Sequence, residues 1–186
     1  MSQLTSQQQQ FLKNLAQEAV AAAAADEPAP DVQALAEASQ ITIDGPLLEK
    51  RGAFVTLTLQ NRLRGCIGYI EGFKPLAEAV ADNGRSAAVG DPRFDPLQVH
   101  ELTDLEIEIS VLTPLVEVPS FAEIEVGKHG VLLEKNGCRA VFLPQVAIEQ
   151  GWDLYTTLTQ LCLKAGLGPL EWQQGTKFKV FEAQIF

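Results

Sequence analysis

From about residue 6 to residue 25, Phe11, Leu12, Leu15, Ala16, Ala19 and Val20 recur at three- and four-residue intervals, the period of a helix with one apolar face. Ser6 and Gln9 have the spacing of a capping box at its start, and Asp26-Glu27-Pro28-Ala29-Pro30 ends it. A shorter helix is expected after Asp31. The period then changes. Ala53 to Leu59 and Leu63 to Ile70 are rich in β-branched and apolar residues and predict two paired strands. Pro75 opens a further helix, with Asn83-Gly84 as its expected break. Leu105, Ile107, Ile109 and Val111 alternate with Glu106, Glu108 and Ser110, so a strand with one buried face is predicted there. Asn136-Gly137 between two apolar runs predicts a tight hairpin. Asp153 is placed to cap a helix reaching Ala165, with Gly166 as its stop, and Phe178 to Phe186 reads as one final strand.

Helices and hairpins alternate without a regular βαβ rhythm. This predicts an α+β fold, a mainly antiparallel sheet with flanking helices, rather than a doubly wound sheet. No repeat and no Gly/Ser-rich linker divides the chain, so residues 1–186 read as a single domain with a helical part before residue 40.

Composition narrows the function classes. Lys and Arg number 14 against 24 Asp and Glu, a formal net charge of −10, which opposes general attraction to nucleic acid or to an anionic membrane. Any nucleic-acid or nucleotide contact is expected to be local. Residues 50–93 nevertheless carry seven basic residues (Lys50, Arg51, Arg62, Arg64, Lys74, Arg85, Arg93) against four acidic ones, an island that suits one anionic ligand if the side chains converge. Three cysteines, Cys66, Cys138 and Cys162, cannot all pair within the chain, which fits a reducing compartment. The longest uninterrupted apolar run, Ala19 to Ala25, is far too short to span a bilayer, and Met1 to Gln10 lacks the basic residues of a signal peptide. A cytoplasmic protein without a membrane contact is expected.

Standard catalytic signatures are missing: no Walker A loop, no G-x-S-x-G around Ser86 and no G-x-G-x-x-G opening a helix. Two histidines and scattered cysteines have no metal-ligand spacing, so no structural zinc site is expected, and nothing in the pattern selects carboxylates as ligands for another metal. What stands out is Arg62-Leu63-Arg64-Gly65-Cys66-Ile67-Gly68-Tyr69. Gly65 and Gly68 remove side-chain bulk beside a thiol, and the arginines offer fork-shaped donors to an anion. Two readings stay open. Cys66 is a reactive thiol favoured by nearby cations, or it is a small buried residue on a central strand whose glycines mark a bulge or tight packing. Asp91-Pro92-Arg93-Phe94 offers a carboxylate and a guanidinium on a stiffened loop, whose usual use is a structural ion pair or turn cap. His129, in Gly127-Lys128-His129-Gly130, is either an acid or base for Cys66 or a hydrogen-bond partner of its own turn. Cys138 and Cys162 read as core.

These segments resemble the AMMECR domain family, which includes the A component of the AmmeMemoRadiSam system. The resemblance rests on Gly52-Ala53-Phe54-Val55-Thr56-Leu57, Leu63-Arg64-Gly65-Cys66-Ile67-Gly68, Asp91-Pro92-Arg93-Phe94, Gly127-Lys128-His129-Gly130, Leu143-Pro144-Gln145-Val146, Gly151-Trp152-Asp153 and Lys164-Ala165-Gly166-Leu167, in that order over residues 45–186. Tyr69 stands where the family often has threonine. The resemblance implies an α+β unit of two lobes, and partnership with a Memo-type protein and a radical SAM enzyme. It places Cys66, with Arg64, Gly65 and Gly68, at the family's signature site, and it supplies neither a reaction nor a cofactor. The expectation is a component of a modification pathway acting on a small or nucleotide-like anionic substrate. In it Cys66 serves as nucleophile or thiol ligand, Arg64 as anion clamp with Gly65, Gly68, Asp91 and Arg93 at the binding site, and His129 as proton shuttle. The alternative is a non-catalytic module that binds substrate, RNA or protein.

Overall fold

In the computed structural model, which describes residues 3–186, the chain forms two compact units. The first comprises the residues up to Leu112 together with Gln184–Phe186, and the second Thr113–Ala183. The fold is α+β, with two four-stranded antiparallel sheets and flanking helices.

The first unit begins with helix α1 (Ser6–Ala24). Its capping box lies one residue earlier than the sequence suggests. Thr5 is the N-cap, its hydroxyl accepting from the Gln8 N–H while the Gln8 side chain accepts from the Thr5 N–H. The pattern alone cannot separate the two registers, because Thr5/Gln8 and Ser6/Gln9 share the same spacing. Helix α2 (Val32–Ala38) follows its Asp31 cap. Strands β1 (Ala53–Leu59) and β2 (Arg62–Tyr69) form a hairpin around Gln60 and Asn61, both at positive φ (51° and 60°). Between Leu57 and Thr58 the pairing slips. Leu57 faces Gly65 and Thr58 faces Leu63, which leaves Arg64 as the extra residue of a β-bulge.

Helix α3 (Leu76–Val89) runs straight through Asn83-Gly84. The expected break is corrected by packing. A Cβ on Gly84 would sit 3.3 Å from the Ala16 carbonyl of α1, and the buried Asn83 amide donates to the Ala53 carbonyl of β1 at 3.0 Å. A residue that favours a turn in isolation is held in the helix by the neighbours its small size admits. Strand β3 (Leu105–Leu112) completes the run, and the sheet order is β2-β1-β3-β8, where β8 is Ala183–Ile185. Ala53, Val55, Leu57, Ile109 and Val111 of this sheet pack with Leu12, Leu15 and Ala19 of α1 and Leu76 and Val80 of α3 as the core.

The second unit has the sheet β4-β7-β5-β6, with β4 Val116–Val118, β5 Gly130–Lys135, β6 Cys138–Phe142 and β7 Lys177–Phe181. Asn136 and Gly137 make the expected hairpin turn, at φ 51° and 81°. Helix α4 (Pro144–Glu149) precedes α5 (Leu154–Lys164), which is capped by Asp153 and followed by Gly166 at φ 76°. The single final strand is corrected to two, β7 and β8, in different sheets. The junction falls at Glu182, whose N–H donates to the Thr113 hydroxyl and whose carbonyl accepts from the Thr113 N–H. Cys162 is fully buried, as expected, whereas Cys138 is only partly so. Among the described residues, no helix is long and apolar enough to cross a membrane.

Candidate functional site

Alternation along β1 and β2 divides the signature segment between two faces. Gly65 turns toward α3. A Cβ there would lie 2.2 Å from the Ala87 carbonyl oxygen, so the glycine is required by the approach of the helix backbone. Cys66 turns the other way and stands opposite Thr56, with Sγ 3.4 Å from the Thr56 hydroxyl. On this same face Gly68 stands opposite Phe54, and a Cβ would meet that ring at 2.4 Å. The space next to both glycines is thus occupied by protein. Cys66 itself is half-buried.

Asp91 is the buried anchor of this site. Its carboxylate accepts from the Cys66 N–H (2.9 Å), from the Arg93 N–H (3.1 Å) and from Arg93 Nε and Nη2 (2.9 and 2.6 Å). Arg93 Nη2 also donates to the Cys66 carbonyl at 3.3 Å. Together the two side chains grip both polar groups of the Cys66 peptide at the open edge of β2, in place of a neighbouring strand. The Arg93 guanidinium, its backbone N–H and the Cys66 N–H overcome the effect of burial and hold the Asp91 carboxyl down at about 2. Arg93 is pushed up in turn, chiefly by its hydrogen bond to Asp91. Its side chain remains 54% exposed against 2% for Asp91, and Nη1 has no partner among the described residues.

Arg64 has a different use. The bulge directs it to Glu101, which it meets with a two-pronged bond, Nε to Oε1 at 2.8 Å and Nη2 to Oε2 at 2.9 Å. Nη1 donates to the Asp95 carbonyl at 2.8 Å. The hydrogen bond from Arg64, assisted by the Gln98 N–H, lowers the Glu101 carboxyl to about 2, and Glu101 raises Arg64. All three nitrogens of the guanidinium therefore hold the loop after α3, and an anion would compete with Glu101 for them.

Three other basic residues of the island, Lys74, Arg85 and Arg51, go to separate partners. Lys74 pairs with Asp82, Arg85 donates to the Glu27 carbonyl, and the buried Arg51 donates to the Leu112 carbonyl. His129 lies in the second unit, where its Nδ1 accepts from the Glu125 N–H at 3.1 Å. Among the described residues, no group of three or more His, Cys, Asp or Glu side chains is arranged to hold a metal.

Sequence reasoning missed Thr56 and Glu101. Counting back from the hairpin turn pairs Thr56 with Gly65, and only the bulge at Arg64 moves it opposite Cys66. Glu101 lies 37 residues from Arg64, and no local pattern ties the two.

The similarities to known proteins run along nearly the whole chain. The AMMECR1 family model matches residues 13–186. A protein of Methanothermobacter thermautotrophicus is 47% identical over 145 residues, 74% of this chain and 76% of its own length. One of Thermococcus kodakarensis is 47% identical over 151 residues, 75% and 74% respectively. The crystal structure of an uncharacterized protein from Pyrococcus horikoshii superposes with a TM-score of 0.81 at 35% identity, covering 94% of this chain and 88% of that one. The chain belongs to the AMMECR1 family.

Proposed function

We propose that the first unit carries a thiol site for a small or nucleotide-like anionic substrate, with Cys66 as nucleophile or thiol ligand. One observation carries the reading: a half-buried thiol whose own peptide is held by Asp91 and Arg93, with Arg93 leaving a donor free toward solvent. Asp91 fixes the plane of the guanidinium, so Nη1 is left as the outward donor for a carboxylate or phosphate. Arg93 takes the part of anion clamp expected for Arg64, and Arg64 positions the loop. The half-buried Phe54 ring, leaning across Gly68 on the same face, adds an apolar surface suited to a flat ring. A modification pathway with a Memo-type protein and a radical SAM enzyme is the setting that the family resemblance supplies.

A substrate seated there shields the sulfur. Inorganic phosphate or AMP is expected to slow alkylation of Cys66 by iodoacetamide, and Arg93→Ala to abolish that protection. Alkylation unaffected by either anion up to tens of millimolar would refute the anionic substrate. The alternative is a non-catalytic module binding substrate, RNA or protein. It draws on the exposed Arg62 and Arg93, and predicts that Cys66→Ser binds the partner as tightly as the natural protein.

A further inference from the structure

The hydroxyl of Thr56 is used by nothing else described above. It projects from β1 directly opposite Cys66, and the register on the other side of β1 places Glu108 of β3 opposite the same threonine. Phe54, Thr56, Cys66 and Gly68 share one face of the sheet.

We infer that Thr56 is a positioning residue that presents its hydroxyl proton to the sulfur of Cys66 when the thiol ionises. This rests on the reading of Cys66 as a reactive thiol, and adds to it which side chain supports the reactive form. Between a thiol and a hydroxyl at 3.4 Å either group can donate. After the S–H proton has left for solvent, the sulfur can only accept, and the rotor of Thr56 turns its O–H toward the anion. A hydrogen bond to an ionised acceptor is about twice as strong as one between neutral groups, so the contact favours the reactive form over the resting one. The S–H bond breaks to give its proton to water. With iodoacetamide as the electrophile, the sulfur lone pair then forms the S–C bond as the C–I bond breaks and iodide leaves, and the Thr56 O–H bond stays intact throughout.

Other charges face this pair and set its background. Asp91 and Arg93 lie on the edge side of Cys66, paired with each other, and Glu108, with Glu106 one row away, lies on the β3 side of Thr56. All of these residues are kept in the variants at residue 56.

Thr56→Val keeps the β-branched shape and removes the hydroxyl, whereas Thr56→Ser keeps the hydroxyl and removes the methyl group. The rate of Cys66 alkylation by iodoacetamide is measured from pH 6 to 10.5 by mass spectrometry of the digested full-length chain, with Cys138 and Cys162 as internal references. Thr56→Val, and Thr56→Ala as a second variant, are expected to slow alkylation at pH 7 about tenfold, with the deficit closing at the alkaline end. Thr56→Ser is expected to restore the rate. Identical pH profiles for the natural protein and both hydroxyl-free variants would overturn the role of Thr56 while leaving a reactive Cys66. A Cys66 that is inert in the natural protein, yet alkylated once unfolded in urea, would overturn the proposed function itself.

Discussion

Replacing Asp91 by asparagine removes one negative charge and turns one of two accepting oxygens into a donor. The site gives the acid four donors, two of which are already shared on each oxygen: Cys66 N–H and Arg93 Nη2 on Oδ2, Arg93 N–H and Nε on Oδ1. An amide leaves at least two of these facing another donor. The magnitude follows from the acid's own titration. Its carboxyl falls from an ordinary 3.8 to about 2, and a drop of nearly two units corresponds to about 2 kcal/mol of native-state stabilisation once solvent screening at the half-exposed Arg93 is allowed for. The unfolded chain takes up this proton first as the pH falls. The stabilisation is therefore complete above about pH 5 and is lost between about pH 4 and 2. Glu101 is also lowered to about 2, so it contributes to the same window in both proteins and cancels in their difference. Urea unfolding followed by circular dichroism at pH 7, 4, 3 and 2.5 is expected to show Asp91→Asn about 2–4 kcal/mol less stable at pH 7, with the gap narrowing by about 1.3 kcal/mol at pH 2.5, where about a third of the linkage remains. Two curves that stay parallel from pH 7 to 2.5 would refute the claim that this carboxylate is held ionised by the Cys66 peptide and Arg93.

Two glycines separate steric need from backbone need. Gly65→Ala drives a Cβ against the Ala87 carbonyl of α3 and is expected to cost about 3 kcal/mol or more, seen as a loss of soluble protein or a fall in Tm of roughly 6–12 °C. Gly137→Ala meets no atom within 4 Å but must hold φ at 81°, so thermal melting is expected to show a loss of only about 1 kcal/mol. Equal losses at the two positions would contradict the packing of α3 on β2.

Elements fixed by local chemistry were legible in the sequence. The Asn136-Gly137 hairpin and the Asp153 cap need only their own residues, because positive φ and an N-terminal hydrogen bond are properties of a few adjacent groups. Where the outcome depends on distant partners, reading along the chain fails. Asn83-Gly84 has the chemistry of a turn, and it stays helical because α1 and β1 lie against it. Glu182 resembles its strand neighbours, yet its bonds to Thr113 mark where the chain leaves one sheet for the other. At the site the same division holds. Cys66, Asp91 and Arg93 stand out as an unusual thiol and a stiffened ion pair, and they meet. The pairing of Arg64 with Glu101 and the alignment of Thr56 depend on a one-residue bulge that composition does not announce.

The most direct test compares the three thiols of the folded protein. Burial pushes the Cys162 thiol up, and the side chain is fully covered, so it supplies a slow internal standard. With limiting iodoacetamide at pH 7, Cys66 is predicted to be modified at least tenfold faster than Cys162, and faster than the half-buried Cys138. A Cys66 modified no faster than Cys162 until urea unfolds the chain would mean that the sulfur is packing material, and the thiol site would fall with it.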